Sequence, residues 1–486
     1  GLVVCGSNDT ATQEVVFAIN AAIGAMGTTV NTAVSNLSKK GNDADMNAFV
    51  AALKSGAVGA VFIGDCNPVY EHADGAAIGK AIKALPLSVS FNDRNDETTQ
   101  NCSIVAPANH WLESWGDFEH KTGYISLQQP TINQLFKTRP MAESLLRWSG
   151  DATSYADYFF ASMKGKLGGD AGFDKALQLG VIEPDTLSIG GGYSGSAAIA
   201  IAAINAAPAI KGDELVVYEK VAIGRGGSWS NNPWLQEMPD PITKATWDNY
   251  AVISFATAKE LGIVVDDNYE VELSKPVIKL KVGQKEMSLP VLVIPGMHKD
   301  VIAVAVGYGR SEKTGRAAAN VGQNMFPLVS FDGKAFAYAV AGASVEKTNE
   351  TFKIAYTQTH NQYEGRDEVV REFALSDFKK HPTALKDERH KLVEDYAKNT
   401  GDYAAEGTLY PSHPYPGAKW GMSIDLNSCI GCGACTVACT SENNVAVVGK
   451  SEVMRAHEMH WLRIDRYFAT YRDDSGSDNL DDLNVV

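Results

Sequence analysis

Apolar positions along the first hundred residues follow two periodicities. Short uninterrupted runs, Leu2 to Cys5, Ala60 to Ile63 and Leu87 to Phe91, have the length of buried strands. Two of them close in turn-forming groups, Gly6-Ser7-Asn8 and Gly64-Asp65-Cys66-Asn67-Pro68. Between the runs, Thr12 to Met26, Met46 to Lys54 and Gly75 to Ala84 place apolar residues at helical spacing. Strands alternating with helices predict a parallel α/β sheet whose ligand-facing loops lie at the strand C-termini, where Asn8 and Asn67 fall.

Further along the texture changes. Gly190-Gly191-Gly192-Tyr193-Ser194-Gly195 formally fits G-x-G-x-x-G, between the short apolar Leu187 to Ile189 and an Ala-rich helical run. So minimal a strand favours a plain turn into a buried helix over a dinucleotide loop. From Val271 to about Ala341, the runs Val277 to Val282, Leu289 to Ile294 and Val301 to Val306, punctuated by Gly and Pro, predict a β-barrel or sandwich. Thr351 to Gln358 adds an alternating strand pattern with Phe352, Ile354 and Tyr356 on one face. Glu364 to Lys398 is charged, helical in spacing and reads as a solvent-facing connector. Tyr410 to Gly417 is a Pro-rich boundary, and the Asp-rich last sixteen residues read as a solvated loop. No internal repeat is evident.

Composition narrows the class. The 486 residues suffice for about three domains, and 45% hydrophobic with 21% charged residues suits a folded globular chain. Lys and Arg number 43 against 58 Asp and Glu, a net charge of −15 that opposes nucleic-acid binding in the absence of a basic patch. The longest uncharged stretch, Leu187 to Ile210, is mostly Gly, Ala and Ser, too weakly hydrophobic for a membrane span. A start at Gly1, with no basic leader or twin-arginine segment, suggests a processed protein or a piece of a longer one.

The seven cysteines change the picture most. Cys5, Cys66 and Cys102 are scattered, whereas Cys429, Cys432, Cys435 and Cys439 crowd into eleven residues as C-x2-C-x2-C-x3-C, the bacterial ferredoxin run for a [4Fe–4S] centre. Two residues between thiolates let successive sulfurs reach three corners of a cubane from one loop. Small Gly431, Gly433 and Ala434 permit the tight wrap and leave backbone N–H groups free to face the sulfurs. Zinc is the alternative, but its usual sites join two separated C-x2-C pairs, and no second pair or suitably placed His is present. The fourth cysteine of such a run normally ligates the other cluster of a two-cluster fold, so the ligand count implies a second cysteine run beyond Val486. Thr440 stands where a Pro commonly follows. His457-Glu458-Met459-His460 is not the H-E-x-x-H of a metalloprotease; both histidines read as surface or cluster-adjacent, with Trp461, Arg463 and Arg466 either near a cluster or on a core strand.

Several motifs carry a family resemblance. Gly64-Asp65-Cys66-Asn67-Pro68, Asp96-Glu97-Thr98, Pro107, His110-Trp111-Leu112-Glu113 and Trp115-Gly116-Asp117 resemble the later part of molybdopterin oxidoreductase large subunits. Residues from about 245 to 345 resemble that family's C-terminal pterin-binding barrel, and 421–486 the opening of the ferredoxin subunits that accompany such enzymes. Joined in one chain through Asn231 to Pro241 and Trp247 to Tyr250, these parts are similar to the large iron–sulfur subunit family of bacterial alternative complex III.

The resemblance implies four regions. They are a molybdopterin oxidoreductase-like α/β region at 1–244, a β-barrel at 245–345, a charged helical connector and Pro-rich linker at 346–420, and the first part of a dicluster ferredoxin-like 4Fe–4S domain at 421–486. It implies [4Fe–4S] clusters on Cys429, Cys432, Cys435 and Cys439, with a [3Fe–4S] cluster conceivable further on, and no molybdopterin. It implies no catalysis on this chain but electron transfer from an integral-membrane quinol-oxidising subunit towards multihaem cytochrome c partners, on the periplasmic side of the inner membrane. The alternative is a catalytic molybdopterin-dependent oxidoreductase with a fused iron–sulfur domain. Asn67, His110, Glu113 and Asp117 read as loop-capping residues rather than a cofactor edge. Gly307-Tyr308-Gly309-Arg310 and Gly322-Gln323-Asn324 read as scaffold, and Cys5 and Cys66 as core packing.

Overall fold

A computed structural model describes the chain except at residues 39, 185–188, 208–210, 225, 265–273, 364–370, 372, 404–406, 408, 411–412, 473–477 and 486. Strand β1 (Ala60–Ile63) pairs in parallel with β2 (Leu87–Ser90), and β2 with β3 (Ile104–Val105). Helices α1 (Thr10–Ala22), α2 (Asp43–Lys54) and α3 (Gly75–Ala84) precede or separate these strands. Val61 and Ile63 face α2 and α3, forming a core with Val50, Leu53, Ile78 and Ile82. Asn42 begins α2 by accepting the Ala44 and Asp45 N–H groups. At the start of α3 only glycine fits, because a Cβ on Gly75 would stand 2.0 Å from the Val69 carbonyl oxygen.

Leu2 to Cys5 is not a strand. No neighbouring strand pairs with it; instead the buried Asn20 side chain takes the Val3 N–H and C=O at 2.9 and 2.8 Å. An antiparallel sheet of Gly116–Lys121, Tyr124–Gln128 and Val181–Ile182 completes this half.

The strand expected at Leu187 to Ile189 falls largely outside the described residues. The glycine loop after it packs on the N-terminal segment: Gly190 N–H donates to Asn31 Oδ1 at 2.9 Å, and a Cβ on Gly191 would strike the Gly27 backbone. The loop is a turn into α4 (Ala197–Ala206). That helix is not buried as expected; Ala200 is buried on it, while Ile199, Ile201 and Ile204 are exposed.

Six strands close a barrel: β4 (Asp213–Tyr218), β5 (Ala251–Ile253), β6 (Ser274–Val282), β7 (Lys285–Val293), β8 (Val301–Ala305) and β9 (Ala339–Lys353), in the order β6-β7-β5-β8-β4-β9. It draws β4 from before residue 245 and runs β9 past 345, because closure needs a partner on each edge and the local texture shows only the middle strands. Alternating residues point inward, so Leu215, Val217, Ile253, Ile278, Leu280, Leu289, Val291, Ile302 and Val304 share one buried core.

One ion pair ties the α/β part to the barrel. Arg310, after β8, is buried and donates from Nε and Nη2 to Glu97 at 3.1 and 2.8 Å. Its guanidinium lies 4.3 Å from the Tyr70 ring centre and donates from Nη1 to the Gly227 carbonyl. Glu97 also accepts from Ser311 N–H, Thr314 Oγ1 and Asn67 Nδ2. Burial alone would push the Glu97 carboxyl up; the Arg310 hydrogen bonds and charge overcome it and hold the group at about 2.

Beyond the barrel, α5 (Ala384–Thr400) lies within the predicted connector and is exposed, while 364–370 of that connector, and 411–412 of the Pro-rich boundary, lie outside the described residues. The expected C-terminal loop contains a two-stranded hairpin, Phe468–Arg472 with Asp478–Val485. Among the described residues no helix is long and apolar enough to cross a membrane.

Candidate metal centre

Cys429 and Cys432 sit on a loop, Cys435 in the first turn of α6 (Ala434–Glu442), and Cys439 four residues later on the same helical face. Gly431 and Gly433 take φ of 72° and 70°, the left-handed region that turns the loop between thiols. Both also lie close to the barrel segment: a Cβ on Gly431 would stand 3.4 Å from Pro241, and one on Gly433 2.8 Å from Met238 Sδ. Thr440 is buried inside α6, with Oγ1 donating to the Thr436 carbonyl at 2.8 Å. A proline there would remove a helical N–H and clash with that same turn, which accounts for the departure from the simple ferredoxin pattern.

The residues present fit an iron–sulfur cluster. Cys432 is exposed and the other three are partly buried, and Asn443 Nδ2 approaches Cys439 Sγ at 3.6 Å as a donor to sulfur. Among the described residues no three His, Cys, Asp or Glu side chains converge to hold a metal ion, the four cysteines included, so the fit rests on the donor set and its spacing. His460 donates from Nε2 to the Glu237 carbonyl at 3.1 Å, and His457 Nδ1 meets Glu452 at 2.8 Å. Residues 457–466 form no strand. Arg463 binds the Thr357 carbonyl, Glu458 and Asp465, while the Arg466 N–H donates to the Pro241 carbonyl.

What the motifs did not reveal is how firmly this loop is mounted. Glu237, buried on the short helix Pro233–Glu237, accepts the backbone N–H groups of Val448 and Gly449 at 3.1 and 2.8 Å. Lys450 pairs with buried Asp248 at 2.5 Å, and Trp234 Nε1 donates to the Val445 carbonyl at 3.0 Å. Val437 of α6 packs on Ala222, Ile223, Met238, Ala305 and Tyr308. The available signal was the density of Trp, Asp and Pro between Asn231 and Tyr250, unusual for a linker. Glu237→Ala strands two N–H groups, and their hydrogen-exchange protection should fall about a hundredfold, the equivalent of about 3 kcal/mol. Unchanged protection at Val448 and Gly449 would show that the carboxylate holds nothing.

Elsewhere, His110 accepts the Leu112 N–H at 3.3 Å while Glu113 takes the His110 N–H, the capping role expected. Asp117 lies 3.9 Å from Lys166, and Asn67 bonds Thr98 and Glu97. Asn249 accepts the Gln323 N–H, Asn324 donates to the Tyr70 carbonyl, and the Tyr70 hydroxyl donates to the Tyr308 carbonyl at 2.6 Å, so both glycine-containing loops serve as scaffold. Cys5 and Cys66 are exposed rather than core, because one lies on the unpaired N-terminal segment and the other in the loop after β1. Although the residue as a whole is exposed, the thiol on the cleft wall is partly desolvated, and this, with Glu71, Asp96 and Asp65 beside it, pushes Cys66 up to about 11, away from the thiolate that a metal requires.

Residues 420–441 match the 4Fe-4S binding domain family. The molybdopterin-binding-like subunit of menaquinone reductase from Nitratidesulfovibrio vulgaris is 26% identical over 289 residues, 55% of this chain and 38% of its own length. The iron–sulfur cluster-binding subunit of menaquinone reductase from the same organism is 71% identical over 28 residues, 6% of this chain and 11% of its own. The chain joins a region similar to a molybdopterin-binding-like subunit to one that matches a 4Fe–4S binding domain. The 4Fe–4S domain is also similar to the arsenate respiratory reductase iron–sulfur subunit of Chrysiogenes arsenatis, 63% identical over 27 residues, 6% of this chain and 90% of that sequence. The matched regions span only 38% of the one menaquinone reductase subunit and 11% of the other.

Proposed function

We propose that this chain is an electron-transfer subunit of a membrane-associated respiratory quinol oxidoreductase of the alternative complex III type. Cys429, Cys432 and Cys435 hold one [4Fe–4S] cluster and Cys439 reaches a second; such clusters supply one-electron redox chemistry. The observation that carries the reading is the cysteine run, held beside the rest of the chain because Val445 to Lys450, just after it, bond to Trp234, Glu237 and Asp248. The molybdopterin-like body is its mount. The menaquinone-linked relatives support a quinone-reactive membrane partner, although their names denote quinone reduction, the reverse of the direction proposed. Multihaem cytochrome c acceptors and a periplasmic location complete the reading.

A non-catalytic body is supported by the cleft between its two halves. This space of about 210 Å³ is lined by Asp65, Glu71, Asp93 and Asp96 against Arg94 and Arg310, and Arg310 is already engaged by Glu97. That balance of charge disfavours the phosphates of a pterin cofactor. In the assembled complex, iron and acid-labile sulfide should be present, molybdenum absent, and a menaquinol analogue should reduce EPR-visible clusters. Stoichiometric molybdenum would establish the catalytic alternative instead, and clusters reduced only by the cytochrome side would reverse the direction of flow.

A further inference from the structure

Several buried polar atoms of the described residues lack a hydrogen-bond partner, and three of them crowd one stretch of the 4Fe–4S domain: Glu458 Oε2, His460 Nδ1 and Asp465 Oδ1. All three are acceptors, since His460 spends its proton on the Glu237 carbonyl through Nε2. The stretch ends at Arg466, whose side chain lies against Gly431 of the cysteine loop. Facing it from the barrel is Lys244, 0% exposed.

Lys244 is held where a lysine is costly. Its φ of 56° is left-handed, its N–H donates to the Asp240 carbonyl at 2.8 Å, and its own carbonyl accepts the Thr357 N–H at 3.1 Å. The ammonium reaches Asn361 Oδ1 at 3.4 Å and stands 5.2 Å from the Tyr467 ring centre, so its described partners are neutral. The charged groups facing it are Asp240 from its own turn and Asp465 from the C-terminal segment, with Arg463 and Glu458 behind Asp465. Burial brings the ammonium down to about 8 against the pull of Asp465 and Asp240. The unfilled acceptors offer water a line of partners from partly exposed Arg463 inward. Pro241, three residues before Lys244, is the residue that Gly431 contacts.

We propose that Lys244 is a redox-linked proton site: when one electron from an external donor such as a quinol enters the iron–sulfur group of the cysteine loop, the neutral amine of Lys244 takes up one proton from solvent, and releases it when the electron leaves. Charge balances, because –NH2 plus H+ becomes –NH3+ as one negative charge arrives nearby. The inference rests on the reading of the cysteine loop as a cluster site.

The test is the midpoint potential of the loop's cluster, followed by EPR-monitored titration of the intact protein from pH 6 to 10. In the wild type the potential should be constant at low pH, where Lys244 is charged in both redox states. Above about pH 8 it should fall with a slope approaching 59 mV per unit, the tenfold change per pH unit of a one-electron, one-proton couple. Lys244→Arg keeps a cation that does not deprotonate and should give a flat profile at the higher potential; Lys244→Met should give a flat profile at the lower one. A structural role alone would displace the potential and leave the slope. A wild-type slope equal to that of the Arg variant overturns the proposal while leaving the cluster reading intact. Wild-type protein without any cluster overturns both.

Discussion

Cys432→Ala strips the loop of its cluster. The thiol is exposed and lies outside the barrel's hydrophobic core, so its loss should leave the fold and the Glu237 mount in place while removing one corner of the metal site. Iron affinity at the loop should drop by about a hundredfold or more, since replacing even the partner of a ligand costs about ten- to a hundredfold. Anaerobic reconstitution followed by iron, acid-labile sulfide and EPR measurement reads the effect. Cys66→Ala, altering a thiol that local desolvation and neighbouring carboxylates keep protonated, is the control and should bind iron as the wild type does. Wild-type iron and sulfide in the Cys432 variant would mean that the loop is not the binding site.

Arg310→Met should be the most damaging single change to stability. It leaves Glu97 buried among Ser311, Thr314 and Asn67 with no countercharge, a loss of about 3–5 kcal/mol. Because the cost is that of an unpaired charge, the double variant Glu97→Gln with Arg310→Met should unfold at higher urea than Arg310→Met alone. The pair also sets an acid limb. The folded Glu97 carboxyl lies at about 2, below its ordinary 4.5, so its contribution is complete above pH 4.5 and is lost as pH falls towards 2. With some solvent screening this amounts to about 2 kcal/mol. Urea midpoints taken across that range should converge for wild type and double variant at the acid end; parallel curves would remove the pair from the account.

Local patterns were the readable part of this chain. Ala60–Ile63 and Gly75–Ala84 adopt the predicted bounds because alternation, helical spacing and a neighbouring Gly or Asn-Pro act within a few residues. The cysteine run is legible for the same reason: its chemistry is contained in eleven positions. Leu2 to Cys5 misled because an apolar run becomes a strand only where another strand meets it. The barrel's closing strands were missed because β4 and β9 pair with each other across more than a hundred residues, and short alternation in either does not announce that pairing. The composition between Asn231 and Tyr250 hints at a packed segment, but the bonds of Glu237 and the burial of Lys244 could not be read from it, since their partners lie on distant stretches of chain. Exposure of Cys66 depends on the shape of a cleft that no linear pattern encodes.

Because the 4Fe–4S domain is tethered to the barrel it rests on, its seam escapes a demand that a free subunit would face. Two separate chains must overcome the lost freedom of association, about 4–15 kcal/mol, and that favours dry and well-matched contact surfaces. A domain already present at high effective concentration can dock through a small apolar contact at Val437, a few hydrogen bonds and one ion pair. The covalent link thereby lets the seam keep buried polar atoms without partners, Glu458 Oε2, His460 Nδ1 and Asp465 Oδ1 among them.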